Sequence, residues 1–131
     1  MAVAQVMVVE QFSVTAQEGI EIDVGAGRCG VDPGENAVNL AKEIDRSRNL
    51  RFAGLQAYQG VLQHLTTSDE RRAGFAAVQV LVRQTLDAFR EAGLDCPVVT
   101  GGGTGSWALE AGSGLYTELQ CGSYIFLDAD Y

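Results

Sequence analysis

Between residues 20 and 124 short apolar runs alternate with stretches of helical period. Residues 20–24, IEIDV, alternate apolar and acidic positions and end at a glycine, which predicts a strand. A helix is predicted next. Asp32 suits an N-cap, Pro33 the first helical position, and Glu35 completes a capping box. Ala37, Leu40, Ala41 and Ile44 then share one apolar stripe. Residues 51–58, RFAGLQAY, read as a second strand. A polar loop leads to a second helix, opened by Thr67 with Glu70. Phe75, Val78, Val82, Leu86 and Phe89 line its face, and Gly93 is placed to stop it. CPVVT at 96–100 reads as a third strand running into GGGTG at 101–105. A short helical or irregular piece covers 105–113, and a fourth strand begins near Thr117. Residues 1–19 show neither a cap nor a clean period and are expected to be helical.

Strand–helix alternation with short loops implies an α/β fold of βα units on a parallel sheet. In such folds ligands bind beyond the carboxyl ends of the strands. The unusual residues of this chain fall there: GAGRCG after the first strand, YQGVLQH after the second, GGGTG after the third and QCGSY on the fourth. Four such units amount to about half of an eight-stranded barrel, which typically takes about 250 residues. The chain has 131, enough for one domain.

Charge narrows the partners. With 17 acidic and 9 basic side chains the net charge is −8, which argues against nucleic acid or an anionic membrane as partner. No apolar run approaches the roughly 18 residues that span a bilayer, and no secretory pattern opens the chain. The three cysteines fit no zinc spacing and suggest buried thiols in a reducing cytoplasm.

The candidate chemistry sits in the loops. GGGTG offers successive backbone N–H groups and the Thr104 hydroxyl to an anion; a plain tight turn is the alternative. Gly122 and Ser123 offer a second donor set, or Gly122 merely relieves crowding. Arg28 would give a planar, multi-donor contact to a carboxylate or phenolate, or stand as a surface arginine. Tyr58 ends a strand and is a half-buried tyrosine or a pocket wall. His64, the sole histidine, is a polar loop residue or an acid/base group titrating near neutral pH. Asp128, Asp130 and Tyr131 would reach a ligand or metal, or form a solvated terminus.

Taken together, EIDVGAGRCGV, RFAGLQAYQG, GLDCPVVTGGGTG and YTELQCGSYIFLDADY resemble the D-threonine aldolase / D-3-hydroxyaspartate aldolase family, in order and spacing, over residues 20–131. The resemblance implies an alanine racemase-type (β/α)8 barrel, of which residues 20–131 would be the C-terminal half. It also implies a lyase of amino-acid metabolism that depends on pyridoxal 5'-phosphate and cleaves D-β-hydroxy-α-amino acids to glycine and an aldehyde. On that resemblance His64 would take the β-hydroxyl proton. Arg28 would contact the cofactor ring oxygen or the substrate, and Tyr58 would line the cofactor pocket. Gly103, Thr104, Gly122 and Ser123 would hold the phosphate, and Gln120 would face the pyridine nitrogen.

The family's Schiff-base lysine lies on the first barrel strand, and its divalent metal, commonly manganese, is held by a C-terminal His and Asp segment. Lys42, the only lysine here, falls in the helix after the first strand, and the metal ligands are absent from these 131 residues. The chain is therefore expected to be a fragment, cytoplasmic and inactive in isolation. Its open sheet edges would favour self-association. Two other readings are an alanine racemase-like enzyme and a non-catalytic half-barrel that binds a phosphate-bearing ligand.

Overall fold

The computed structural model describes residues 16–125 together with the two-residue strand Val8–Val9. Its sheet has the strand order β1 (Val8–Val9), β2 (Ala16–Glu21), β3 (Leu50–Gln56), β4 (Val98–Gly101), β5 (Glu118–Leu119). β2 through β5 are parallel, and β1 pairs antiparallel with β2 at the edge. Spatial order follows chain order without reversal. That is the order of a barrel wall; a doubly wound sheet reverses at a switch point.

The N-terminal expectation is corrected. Val8–Val9 and Ala16–Gly19 are strand, not helix, and β2 begins four residues before the predicted Ile20. The cause is tertiary: Gln17 and Glu18 are paired on both sides, by β1 and by β3. Asp128, Asp130 and Tyr131 lie outside the described residues.

Helices α1 (Glu35–Arg46) and α2 (Ser68–Glu91) pack on the sheet, and a short α3 (Trp107–Ser113) follows β4. The core lies between sheet and helices. It joins Ile20, Ile22, Phe52, Leu55 and Val99 to Ala37, Val38 and Ala41 of α1 and to Phe75, Val78, Val82 and Phe89 of α2. The rings of Phe52 and Phe89 meet tilted at 5.0 Å.

The two capping predictions divide. Thr67 and Glu70 form the full reciprocal box at the start of α2, and Gly93 follows its end in a left-handed conformation at φ 72°. Asp32 does not cap α1. The N-cap is Gly34, at φ 84°, and its N–H is taken by the hydroxyl of Thr85 on α2 at 3.0 Å. The Asp32 carboxylate instead accepts from the Asn36 side chain at 3.0 Å.

Among the described residues, no helix lies on the opposite face of the sheet. Gln17, Glu21, Gln56, Thr100, Glu118 and Gln120 share a broad depression of about 420 Å³ there with Ala53, Leu55, Val98 and Leu119. Among the described residues no helix is long and apolar enough to cross a membrane.

Candidate active site

The strand ends place the loops. After β2 the chain doubles back: Val31 donates its N–H to Glu21 O and accepts the Asp23 N–H, both at 2.9 Å, which closes residues 23–30 into a loop. Inside it the Asp23 carboxylate Oδ1 accepts the N–H groups of Gly25 at 2.8 Å and Gly27 at 3.0 Å. The Gly27 bond, then the Gly25 bond, holds this carboxyl below its usual range. The N–H groups of Gly25 and Gly27 in GAGRCG are thus taken by the protein's own Asp23. The glycines serve the fold itself: a Cβ on Gly30, at φ 99°, would sit 2.6 Å from Asp23 N.

Gln59, at the end of the β3 loop, donates to Val24 O at 2.9 Å and accepts from Val61 N at 3.1 Å. It ties the first loop to the 3₁₀ turn Gly60–His64. Between them lies a cavity of about 340 Å³ lined by Arg28, Tyr58 and His64, with Glu21, Asp23 and Cys29. Three of the residues singled out in the sequence, from two separate loops, therefore meet at one place. Arg28 and His64 are exposed, and Tyr58 is half-buried.

The other predicted residues spread along the same rim. Gln120, just past β5, donates its side-chain amide to Gln56 Oε1 at the end of β3. Both amides line the depression on the open sheet face, which shares Glu21 with the Arg28 cavity. Thr104 lines a further hollow with Trp107, Cys121 and Tyr124, and its hydroxyl accepts the Tyr124 N–H at 3.2 Å. That bond brings the loops after β4 and β5 together. Among the described residues, the N–H groups of Thr104, Gly122 and Ser123 meet no hydrogen-bond acceptor. Gly103 sits differently. It is buried, and a Cβ there would lie 2.5 Å from the Gln63 side-chain amide, so any larger residue would have to displace that amide from its bonds.

Sequence reasoning missed the side chains that hold the loops. Asp23 two residues before a glycine is an Asx-turn signal that would have found this self-closed loop. Gln59, Gln63, Ser106 and Glu110 carry no local signature. Lys42 is half-buried on α1 and lines none of these cavities. Cys29, Cys96 and Cys121 are free thiols. Burial, then the Asp95 charge, pushes Cys96 up to about 11, which makes it a poor nucleophile.

A sheet in chain order, helices on one face and candidate side chains gathered past the strand carboxyl ends define one flank of a parallel βα barrel. The chain belongs to the family of the alanine racemase N-terminal domain, whose model matches residues 3–130. It is 50% identical over 112 residues to a 3-hydroxy-D-aspartate aldolase of Paracoccus denitrificans (strain Pd 1222), covering 86% of this chain and 29% of that protein. It is 45% identical over 112 residues to a D-threonine aldolase of an Arthrobacter species, covering 86% of this chain and 30% of that protein. The crystal structure of D-threonine aldolase from Filomicrobium marinum superposes with a TM-score of 0.87 at 48% identity, over 89% of this chain and 32% of that one. The chain thus spans about three-tenths of the length of these relatives.

Proposed function

We propose that these residues form one wall of a pyridoxal 5'-phosphate-dependent aldolase that cleaves D-β-hydroxy-α-amino acids to glycine and an aldehyde. The observation that carries this reading is the convergence of Arg28, Tyr58 and His64 on one cavity at the strand ends, in a chain whose relatives are named D-threonine aldolase and 3-hydroxy-D-aspartate aldolase. The residues fit the cofactor. N–H groups at Thr104, Gly122 and Ser123 that meet no acceptor among the described residues, drawn together by the Thr104–Tyr124 bond, suit a phosphate in a chain of net charge −8 that otherwise repels anions. The neutral Gln120 amide suits a pyridine nitrogen left without a proton.

Bound pyridoxal phosphate would accept the electron pair freed when the Cα–Cβ bond breaks. The chain's own residues do the rest. Arg28 holds a carboxylate or ring oxygen through its planar fork. Tyr58 walls the pocket beside it. His64 takes the proton of the β-hydroxyl as general base. Among the described residues no three His, Cys, Asp or Glu side chains converge on a cation site, and no step is assigned to a metal ion. The rim carries no lysine, so these 131 residues alone should not turn over. A cytoplasmic setting, and self-association through the sheet face that no helix covers, complete the reading.

Titration of the 131-residue chain with pyridoxal 5'-phosphate and with pyridoxal tests it. Saturable binding that favours the phosphate and weakens about tenfold in Thr104→Ala supports the rim. Equal binding of the two compounds would overturn it. Assay of the gene product that carries these residues, on D-threonine against D-alanine, separates an aldolase from a racemase.

A further inference from the structure

Ser106 stands at the N-cap of α3, yet its side chain caps nothing. Its hydroxyl is used elsewhere. It donates to Glu110 Oε1 at 2.8 Å and accepts from Gln63 Nε2 at 2.8 Å. Gln63 Oε1 in turn accepts the Gly105 N–H at 2.7 Å. All three side chains are buried, Gln63 at 1%, Ser106 at 2% and Glu110 at 3% exposure. A cluster this dry stands only if its members are paired. Every polar atom in the relay is matched but one: Glu110 Oε2 is buried with no partner. Burial pushes this carboxyl up from its ordinary value, against the Ser106 bond that lowers it.

The relay links two parts of the rim. Gln63 precedes His64 on the 3₁₀ turn, and Gly105 follows Thr104 in the loop after β4. Arg71 of α2 adds a second tie, donating to Leu65 O at 2.7 Å and to Gly105 O at 3.0 Å. The packing is close: a Cβ on Gly103 would overlap Gln63, and one on Gly102 would press on Glu110 at 3.2 Å. The loop therefore rests on the Gln63 and Glu110 side chains, and their positions set its height.

We propose that Ser106 is a positioning residue which, held by Glu110 and bonded to Gln63, locks the loop 102–106 to the His64 turn and so fixes where Thr104 presents its donors. Glu110 touches no ligand in this arrangement. The effect on phosphate recognition rests on the functional reading above; the lock itself does not.

The test uses the 131-residue chain and the variants Ser106→Ala, which removes one hydroxyl without touching the backbone, and Glu110→Gln, which keeps an acceptor for Ser106. Amide hydrogen exchange at Gly105 should speed up about tenfold in Ser106→Ala and stay near native in Glu110→Gln, with Val78 and Val82 of α2 unchanged in both. The preference for pyridoxal 5'-phosphate over pyridoxal should fall in Ser106→Ala and be kept in Glu110→Gln. Unchanged Gly105 exchange in Ser106→Ala would overturn the lock. Faster exchange with an undiminished phosphate preference would overturn the positioning role. A native chain with no such preference would sink the phosphate reading instead, and Gly105 exchange would still decide the lock.

Discussion

The hydroxyl of Thr85 accepts the backbone N–H of Gly34 at 3.0 Å and donates to Leu81 O at 2.8 Å, so a residue inside α2 caps the start of α1. Thr85 is fully buried. Neither partner can turn to water if the hydroxyl is lost. Thr85→Val, close in shape, should cost about 1–3 kcal/mol in urea unfolding, and Thr85→Ser should keep most of the stability. Equal stability of the valine variant would mean that Gly34 finds another acceptor.

That bond also shows what the sequence reveals of this fold and what it hides. The box at Thr67 and Glu70 is legible because both side chains and both amides lie within one turn. The parallel strands are legible because short apolar runs alternate with stretches of helical period. The start of α1 is not legible: its hydrogen-bond acceptor comes from 51 residues away, and Gly34 rather than Asp32 takes the turn. The site divides likewise. Arg28, Tyr58 and His64 stand out as unusual residues at strand ends, and they do meet. The reason for the glycines was hidden, because Gly103 is shaped by Gln63 and Gly30 by the backbone of Asp23. Such requirements come from contacts between distant segments.

Glu110 makes stability depend on pH in a definite direction. Its folded carboxyl titrates above the ordinary 4.5, chiefly because of burial. Between those two values the native state holds a proton that the unfolded chain has lost. The penalty is absent below 4.5, grows as pH rises through the folded value, and is full above it. Tyr116 and Cys121 feel the Glu110 charge, and both are themselves raised. The stability of Glu110→Gln relative to native should therefore increase as pH rises above 4.5. Unfolding curves at several pH values read this; a constant difference would show that Glu110 titrates as if solvated.

Asp23 acts in the other sense and on a smaller unit. Its carboxyl titrates below the ordinary 3.8, through the Gly27 and Gly25 N–H groups. The order it gives loop 23–30 is present above that value and fades as pH falls through the folded one. Removing the side chain should loosen the loop without unfolding the core. Arg28 lies inside it, exposed, so trypsin cleavage after Arg28 reports the opening. Asp23→Ala should raise that rate about tenfold, and Asp23→Asn, which keeps one acceptor oxygen, should raise it less. Cleavage after Arg28 as slow as in the native chain would show that the Val31 pairing alone closes the loop.

Arg28 and His64 share a cavity, yet the proposed chemistry gives them separable tasks. Arg28 binds, and its loss should weaken the ground state and the transition state alike. His64 moves a proton only while the Cα–Cβ bond breaks, so its loss should leave binding intact. In the gene product that carries these residues, Arg28→Ala should raise KM for D-threonine and weaken pyridoxal 5'-phosphate. His64→Gln should lower kcat about 10²–10⁴-fold, with cofactor affinity unchanged. A His64→Gln enzyme that keeps its kcat would move the base to another residue and leave His64 as part of the wall.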